Sequence, residues 1–431
     1  MRVGKYSFSS IGFNLSLAIF LAGLSARAFA APAACDPRAF GAKGDGVSKD
    51  TAAIQKAIDT CERRGGGIVL LTPGTYLSAP IVLKSNITFE LQKGATLLGS
   101  RDHADYAVHP EFQEPGRLPL VGAVGAVNVT IRGEGTIDGS GSAWWLKKGE
   151  PEVDGPAPKM MIFDHCHHLI IEGVTIQNSP GWNVVPYASD DVVIRNVKIL
   201  APANSPNTDA IDPFSSSDVH IDHVIADVGD DDVAIKAGEP GTGATYDPSR
   251  NITITDCTFL HGHGLSIGSD VMAGVSDVVA ERIHFDGTNN GIRIKSNRDR
   301  GGDVSHLVFR DIDMKNVKTT INVYEYSGME TRLTQKVPSA DEETVQPVTS
   351  LTPHFHDITI ENLISIAGNT AGEIVGLPEA PISGFTMHNV KISADQGLIV
   401  RYANVQGTNV VIESHDGTPI KMETKAVVSL K

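Results

Sequence analysis

The segment Asp191-Val192-Val193-Ile194-Arg195, followed at once by Val197-Lys198-Ile199, decides the fold. Apolar and polar side chains alternate in both halves, which is typical of a β-strand with one buried face. The same short pattern returns along most of the chain, and a turn follows each copy. The first residues of eight such copies are Asn86, Asn128, His168, Asp191, Asp218, Asn251, His306 and Asp357.

These copies recur at roughly 23 to 33 residues through the middle of the chain, which indicates a solenoid of stacked repeats. The repeating unit contains only strands and turns, without a second helix. The pattern therefore predicts an all-β fold, a parallel β-helix with coils about 4.8 Å apart. A β-sandwich is the competing fold, but it would have fewer strands and more Asn-Gly hairpin turns.

One amphipathic helix is predicted near the N-terminus, with Asp50 as its N-cap and Gly65-Gly66-Gly67 at its end. Its apolar face consists of Ala53, Ile54, Ala57, Ile58 and Cys61. A β-helix has two open ends, whose exposed strand edges invite aggregation. We expect the helix to cap one end and the tail beyond Gly407 to cover the other.

Residues 1–30 have the pattern of a secretory signal peptide. Arg2 and Lys5 precede the apolar run Leu15–Leu24, and Ala28-Phe29-Ala30 has the form of a cleavage site. We expect cleavage after Ala30, a single β-helix domain over residues 31–431, and a secreted protein that is extracellular, or periplasmic en route. No later stretch is apolar and long enough to span a bilayer, so no membrane partner is expected.

The four cysteines could form disulfides in an exported protein, with three possible pairings. Because Cys35 and Cys61 bracket the predicted helix, we favour a bridge between them. Cys166 and Cys257 lie in strand-like segments, where they can be buried thiols. The formal net charge of -15 argues against nucleic acid as a partner, and a polyanionic substrate would need a local basic cluster.

Four polar segments interrupt the apolar pattern at about the coil period: Ser205–Asp209, Gly229–Asp231, Gly262–Gly264 and Arg293–Lys295. Asp209 and Asp230 are 21 residues apart, about one coil, so stacking should bring their carboxylates together. Asp230 and Asp231 would face opposite sides of a regular strand. They can converge only if the backbone turns between them, and Gly229 is compatible with such a turn.

Converging carboxylates suit the cleavage of glycosidic bonds, because one acid must be protonated and another ionised. Crowding raises the pKa of at least one of them. If a water must fit between acid and base, their separation should be roughly 6.5 to 9.5 Å and the product inverted. His263, about one coil after the acids, could tune a proton or bind sugar hydroxyls. Arg293 and Lys295 share one strand face, either as a solvated charged surface or as a clamp for a sugar carboxylate.

The four segments resemble, in order and rough spacing, the four signature motifs of the polygalacturonases, glycoside hydrolase family 28. The matching residues are Asn207-Thr208-Asp209, Gly229-Asp230-Asp231, Gly262-His263-Gly264 and Arg293-Ile294-Lys295. Phe40–Gly46 and Gly133–Gly139 also resemble family landmarks. The resemblance implies a right-handed parallel β-helix and inverting hydrolysis of α-1,4-galacturonan. It implies no cofactor and no catalytic metal.

The resemblance also implies a role for each matching residue. Asp230 would be the general acid, Asp209 and Asp231 would hold and activate the water, and His263 would assist. The substrate-binding set would be Asn207, Arg293, Lys295 and a tyrosine, for which we prefer Tyr326 over Tyr324. Asp232 stands where the family often has a small or apolar residue, and we expect it to lie outside the chemistry.

Several alternatives remain open at this stage. A pectate lyase or a rhamnogalacturonan hydrolase would share the fold, and so would a non-catalytic polysaccharide-binding protein or adhesin. The insertions Gly238–Arg250 and Gly328–Pro353 could open or close a groove and so decide between endo and exo action. The context Gly262–Ser269 resembles bacterial endo enzymes, so we expect an endo-acting monomer whose substrate is polygalacturonate or pectin.

Overall fold

Short parallel strands, wound into successive coils, make up most of the computed structural model. The structure describes residues 34–108, 116–145, 156–326 and 344–431, together with residues 1, 2 and 4. Most of the predicted signal peptide and part of the predicted loop at residues 328–353 fall outside these ranges. Ala33–Lys431 form one compact unit. Among the described residues, no helix has both the length and the apolar character needed to cross a membrane.

The coils form a right-handed parallel β-helix, which confirms the predicted fold class. Three long sheets run along it, and every pairing between consecutive coils is parallel. Sheet A consists of β2 (Gly67–Leu71), β5 (Ile87–Leu91), β8 (Val127–Gly133), β11 (His167–Glu172), β14 (Asp190–Arg195), β16 (Ser217–Asp222), β19 (Ser249–Thr255), the first parts of β22 (Val275–Asp286), β24 (Asp303–Lys315), β26 (His354–Val375) and β27 (Ile382–Arg401), then β28 (Ala403–Ser414) and β30 (Val427–Leu430).

Sheet B lies on the second face of each coil. It consists of β1 (Asp45–Lys49), β3 (Gly74–Ser78), β6 (Ala95–Gly99), β9 (Thr136–Asp138), β12 (Thr175–Gln177), β15 (Lys198–Leu200), β17 (Ile225–Asp227), β20 (Thr258–Phe259) and the second parts of β22, β24, β26, β27 and β28.

Sheet C lies on the third face and carries the polar segments. It consists of β4 (Ile81–Val82), β7 (Val121–Val124), β10 (Met161–Asp164), β13 (Val184–Tyr187), the bridging residues Ile211 and Phe214, β18 (Val233–Ile235), β21 (Leu265–Gly268), β23 (Asn290–Lys295), β25 (Thr319–Tyr324), the last parts of β26 and β27, and β29 (Ile420–Met422).

A left-handed residue starts each of the repeated segments found in the sequence. The eight residues that begin these copies all have φ between 53° and 60°. Asn, Asp and His tolerate this conformation better than other non-glycine residues, which explains why only these three types occupy the position. Some of them also stack from coil to coil, as where Asn128 Nδ2 donates to Asn86 Oδ1 at 2.8 Å.

The core is a column of aliphatic side chains inside the coils. Val192 and Ile194 are fully buried and pair in register with Val219 and Ile221 of the next coil. Burying such a side chain contributes about 1.5 to 3 kcal/mol relative to leaving it exposed. A slip of one residue would turn each of them to the solvent, so the alternation fixes the register of every coil.

Helix α1 (Thr51–Glu62) covers the N-terminal end of the β-helix. Its buried face is the predicted one and packs against β2, β4 and β5. Asp50 stands at the N-cap position, but its carboxylate accepts from the backbone N–H groups of Lys43 and Gly44 instead of capping the helix. Within the described ranges, single 3₁₀ turns lie at Pro37–Phe40, His103–Asp105 and Gly141–Ala143.

The cysteine prediction is confirmed. Cys35 and Cys61 form a disulfide that ties the chain before α1 to its last turn. Cys166 and Cys257 are buried free thiols, and burial raises their pKa values to about 11 and about 12.

Candidate active site

A groove of about 900 Å³ runs along the outer face of sheet C. Its walls come from consecutive coils, because each polar segment lies at or just before a strand of that sheet. All eight side chains predicted from the sequence line it: Asn207, Asp209, Asp230, Asp231, His263, Arg293, Lys295 and Tyr326. Stacking therefore brings together residues that lie up to 119 positions apart in the chain.

The chain bends just before β18, and this bend presents two adjacent acids to one side. Gly229–Asp232 are not part of the strand, and both Asp230 and Asp231 line the groove. A side chain at Gly229 would meet the carbonyl oxygen of Ser205 at 2.1 Å, so the coils approach too closely there for any residue but glycine. Thr208 also fixes this approach, since its hydroxyl accepts from Gly229 N–H at 3.0 Å.

In the backbone register Asp231, one position away from the sequence-based expectation, is the direct partner of Asp209. The charge of Asp230 nevertheless raises the pKa of Asp209 more than the charge of Asp231 does. Ile211 bridges Val233, so adjacent coils are offset by 22 residues here, not 21. The backbone N–H of Ala210 accordingly donates to the carbonyl oxygen of Asp231 at 2.9 Å. Asp230 therefore lies one position off the direct partner of Asp209.

Asp231 is surrounded by groups that stabilise its ionised form. Its carboxylate is 2% exposed, accepts from Ser266 Oγ at 2.6 Å, and lies 3.2 Å from Lys295 Nζ and 3.5 Å from Arg293 Nη1. Burial alone would raise the pKa of this carboxyl, but the two cations and Lys236 outweigh burial and hold the pKa well below its ordinary value. Asp231 is thus the acid that carries a negative charge.

Asp209 has the opposite character. It is buried, and burial raises its pKa well above the ordinary value, with further contributions from the charges of Asp230 and Asp212. The pKa values of these two neighbouring carboxyls are therefore shifted in opposite directions, which favours a proton on Asp209 and a negative charge on Asp231. The sequence suggested that both acids would hold and activate water, whereas their surroundings favour Asp231 for accepting a proton.

Asp230 and His263 form the more open part of the site. His263 Nδ1 lies 2.9 Å from Asp230 Oδ1, and the two side chains are 34% and 24% exposed. The backbone N–H of His263 also donates to the carbonyl oxygen of Asp230 at 2.8 Å. A carboxyl at the groove surface, with an imidazole beside it, can exchange protons with solvent and with a bound substrate.

Asp232 is buried, although it does not line the groove. It is 0% exposed, and one carboxyl oxygen accepts from the backbone N–H of Gly264 at 3.0 Å, directly beneath the turn that carries His263. Burial raises its pKa well above the ordinary value, which favours the neutral form of the side chain in the folded protein. Its absence from the groove lining agrees with the expectation that Asp232 lies outside the chemistry, which stays a prediction; its contact with the Gly262–Gly264 turn was not predicted.

Sequence reasoning missed the buried pair of Asp212 and Lys236. Lys236 Nζ lies 3.5 Å from Asp212 Oδ1 and 4.7 Å from the ring centre of Trp182, and it lines the groove beside Asp209. Burial raises the pKa of Asp212 to about 7, against the effect of Lys236. A signal was present in the sequence. Each of these two charged residues directly follows a short apolar segment, and that segment directly follows an acidic motif.

Both candidate tyrosines line the groove, but they differ in contacts. Arg293 Nη2 donates to the hydroxyl oxygen of Tyr324 at 3.2 Å. Tyr326 is 4% exposed, packs with Val375 and Leu377, and has the guanidinium of Arg298 at 5.4 Å from its ring centre. These contacts favour Tyr324 over the preferred Tyr326 as the tyrosine that meets a substrate bound to Arg293.

Asp230, Asp231 and His263 together could in principle ligate a cation, because one atom of each lies within 4.8 Å of the others. Both carboxylate oxygens of Asp231 are already engaged by Lys295, Arg293 and Ser266. A metal ion bound there would be repelled by the positive charges of Lys295 and Arg293, or would have to displace these side chains from Asp231. The donor set therefore fits acid–base chemistry better than metal binding.

Two family models and several curated proteins and solved structures are similar to this chain. The family model described as glycosyl hydrolases family 28 matches residues 74–412, and the model described as rhamnogalacturonase A/epimerase, pectate lyase-like matches residues 38–97. The chain is 31% identical to an endo-polygalacturonase of Pectobacterium parmentieri, over 83% of this chain and 88% of that protein.

Relatives of the exo type are found as well. An exo-poly-alpha-D-galacturonosidase of Dickeya chrysanthemi is 28% identical, over 82% of this chain and 66% of that protein. Among solved structures, an exopolygalacturonase from Thermotoga maritima is 26% identical with a TM-score of 0.69, and the match covers 92% of both chains.

Proposed function

Because this chain belongs to glycosyl hydrolases family 28, we propose that it hydrolyses the α-1,4-glycosidic bonds of polygalacturonate by an inverting mechanism. One observation supports this most strongly. A cationic pair, Arg293 and Lys295, lies in the same groove as three carboxyls, of which Asp209 has a raised pKa and Asp231 a lowered pKa. A neutral polysaccharide would not require such a basic cluster in a protein of net charge -15.

Asp230 is the proposed general acid. It is the most exposed of the three acids, and His263 holds its carboxyl from one side. Asp230 would give its proton to the leaving glycosidic oxygen while Asp231, held ionised by its cations, takes a proton from the attacking water. Asp209 would then position this water as a hydrogen-bonded neighbour, and Arg293 would bind the sugar carboxylate through its planar fork.

Replacing Asp230 with Asn tests this assignment. The variant keeps the shape of the side chain but cannot donate the proton, so release of reducing ends from polygalacturonate should fall by about 10²- to 10⁴-fold. Asp227→Asn is the matched control, because Asp227 belongs to the same coil and pairs with His261 outside the groove. Full activity of the Asp230 variant would contradict the mechanism. So would an unsaturated product that absorbs near-ultraviolet light, which is typical of a lyase.

We further propose that the enzyme acts in the endo mode. The groove extends from Trp182 to Ile399, which spans seven coil steps or about 34 Å at about 4.8 Å per coil. A groove of that length can bind several sugar units on both sides of the cleaved bond.

The order of product release distinguishes the two modes. Endo action predicts a ladder of oligomers early in the digestion of polygalacturonate, followed by their conversion to short products. Release of monomer or dimer alone from the first time point would show exo action. Chromatography of samples taken before a tenth of the bonds are cleaved provides this measurement.

We also propose that the protein is exported as a monomer after removal of residues 1–30. The motif around Ala28-Phe29-Ala30 supports cleavage after Ala30. The mass of the polypeptide recovered outside the cell should correspond to a chain that begins at Ala31. The mass of the native protein in solution should be that of one such chain.

A further inference from the structure

Two histidines and an aspartate meet on the surface of sheet A, away from the groove. His354-Phe355-His356 begins β26, and Phe355 is fully buried, so the alternation of the strand directs both histidines outward. Asp303 pairs directly with His354 in the register between β24 and β26. We call these three residues, Asp303, His354 and His356, the surface triad.

The ligand-type atoms of the surface triad already have the spacing of a metal site. Asp303 Oδ1 lies 3.2 Å from His354 Nδ1 and 3.1 Å from His356 Nε2, and one atom of each residue lies within 4.8 Å of the others. Ligands at about 2.0 to 2.1 Å from a tetrahedral zinc ion lie about 3.3 Å apart. The two distances from Asp303 therefore already match a zinc site, and the third, between the two histidine nitrogens, is below 4.8 Å.

The second nitrogen of His356 adds an independent observation. His356 Nδ1 lies 2.8 Å from Asp357 Oδ2, and Nε2 faces Asp303. A neutral imidazole has a single N–H, so it can donate to only one of these two carboxylates. If Nδ1–H donates to Asp357, the lone pair of Nε2 and the oxygen of Asp303 face each other, and a cation between them removes their repulsion. A histidine whose other nitrogen donates to a carboxylate is the usual arrangement around protein-bound zinc.

No fixed positive charge already occupies the place of the metal. Among the residues that the structure describes, Asp303 and Asp357 form ion pairs with histidines only. The other surface cluster of this kind, Asp222 with His223 and Asp256, differs because the guanidinium of Arg282 holds both oxygens of Asp256. The surface triad is thus the better candidate for binding a metal.

We propose that Asp303, His354 and His356 form a zinc site that fastens the start of β26 to β24. A set of two imidazoles and one carboxylate suits Zn²⁺ and leaves a fourth position for water. His354 follows directly on the segment 344–353, and its backbone N–H donates to Gly302 at 2.9 Å. The metal would add a side-chain link to the backbone pairing of β24 with β26, at the first residue of β26.

Zinc titration of the tag-free chain, freed of metal with a chelator, tests the proposal by calorimetry. We expect saturable binding of one zinc ion that is lost, or weakened by at least about tenfold, in His354→Gln and in His356→Gln. His167→Gln is the matched control: His167 also faces a carboxylate of the next coil, Asp190 at 2.6 Å, but has no second histidine in that pair. It should bind zinc as the unmodified chain does.

Thermal unfolding provides a second readout on the same proteins. Zinc at about 100 times its dissociation constant should raise the Tm of the unmodified chain by about 3 °C, and the two triad variants should lose this rise. All variants should hydrolyse polygalacturonate at the unmodified rate, which shows that they are folded. The proposal is overturned if the unmodified chain shows no saturable zinc binding, or if His354→Gln and His356→Gln bind zinc as tightly as His167→Gln does.

Discussion

Replacing Asp232 with Asn should change how the stability of the protein depends on pH. Burial raises the pKa of Asp232 well above its ordinary value of 3.8, so the folded chain keeps a proton that the unfolded chain loses. Stability then falls as the pH rises from about the unfolded pKa to the folded pKa, because the native state binds more protons than the unfolded state. Asparagine is neutral at every pH and removes this contribution.

The size of the effect follows from a single proton. One proton of difference changes the free energy of unfolding by about 1.4 kcal/mol per pH unit. With an unfolding entropy of about 2.1 cal/mol/K per residue over about 400 residues, this corresponds to about 1.7 °C in Tm per pH unit. Asn can still accept from Gly264 N–H through its side-chain oxygen, so the two proteins should have similar stability near pH 4.

Scanning calorimetry at several pH values between 4 and 5.5 measures the difference. The Tm of Asp232→Asn should exceed that of the unmodified protein by an amount that grows with pH. Asp209 and Asp212, whose pKa values are also raised, are present in both proteins, so their contributions cancel. Asp416→Asn, at an exposed carboxylate, should follow the unmodified curve. Parallel curves for Asp232→Asn and the unmodified protein would refute the conclusion that this buried carboxyl is neutral.

Two further predictions concern the groove. Lys295→Met should raise the pKa of Asp231, because it removes a cation that lowers this pKa. The acidic limb of the pH profile of kcat/KM should therefore move to higher pH. An unmoved limb would mean that Asp231 is not the base. Tyr324→Phe should raise the KM for polygalacturonate by about tenfold through the lost hydroxyl, whereas Tyr326→Phe should change it less; the reverse order in steady-state kinetics would restore the sequence-based preference for Tyr326.

The fold could be predicted from the sequence because its determinants are local. Alternation such as that of Val192 and Ile194 specifies a strand with one buried face, and the left-handed position selects Asn, Asp or His at the start of each copy. Both signals, the alternation and the residue type at the left-handed position, can be read within a window of a few residues. The disulfide was equally local, since Cys35 and Cys61 bracket a single helix.

The composition of the groove could be predicted, but its detailed pairing could not. Turns of unequal length separate the coils, so the offset between Asp209 and its neighbour cannot be read from the sequence to within one residue. In the structure Asp231 is the direct backbone partner of Asp209. Lys236 and Asp212 were missed for the same reason, because their contact depends on the register between two coils.

The burial of individual side chains was the other property that could not be predicted from the sequence. Asp232 follows two groove acids and was expected only to lie outside the chemistry, yet it is fully buried beside the turn at Gly264. The surface triad was invisible because an insertion places His354 51 residues after Asp303, far more than the usual coil period.

The stacking of the groove residues on successive coils also governs how the protein can lose activity. In such an array each coil contacts only its neighbours, so opening proceeds from the ends inward. The last strands, β29 and β30, are largely exposed and can fray while Asp209 and Lys295 keep their places. Catalytic activity therefore requires only that the central coils remain folded. Hydrogen exchange at the C-terminal strands should be fast even in a fully active enzyme.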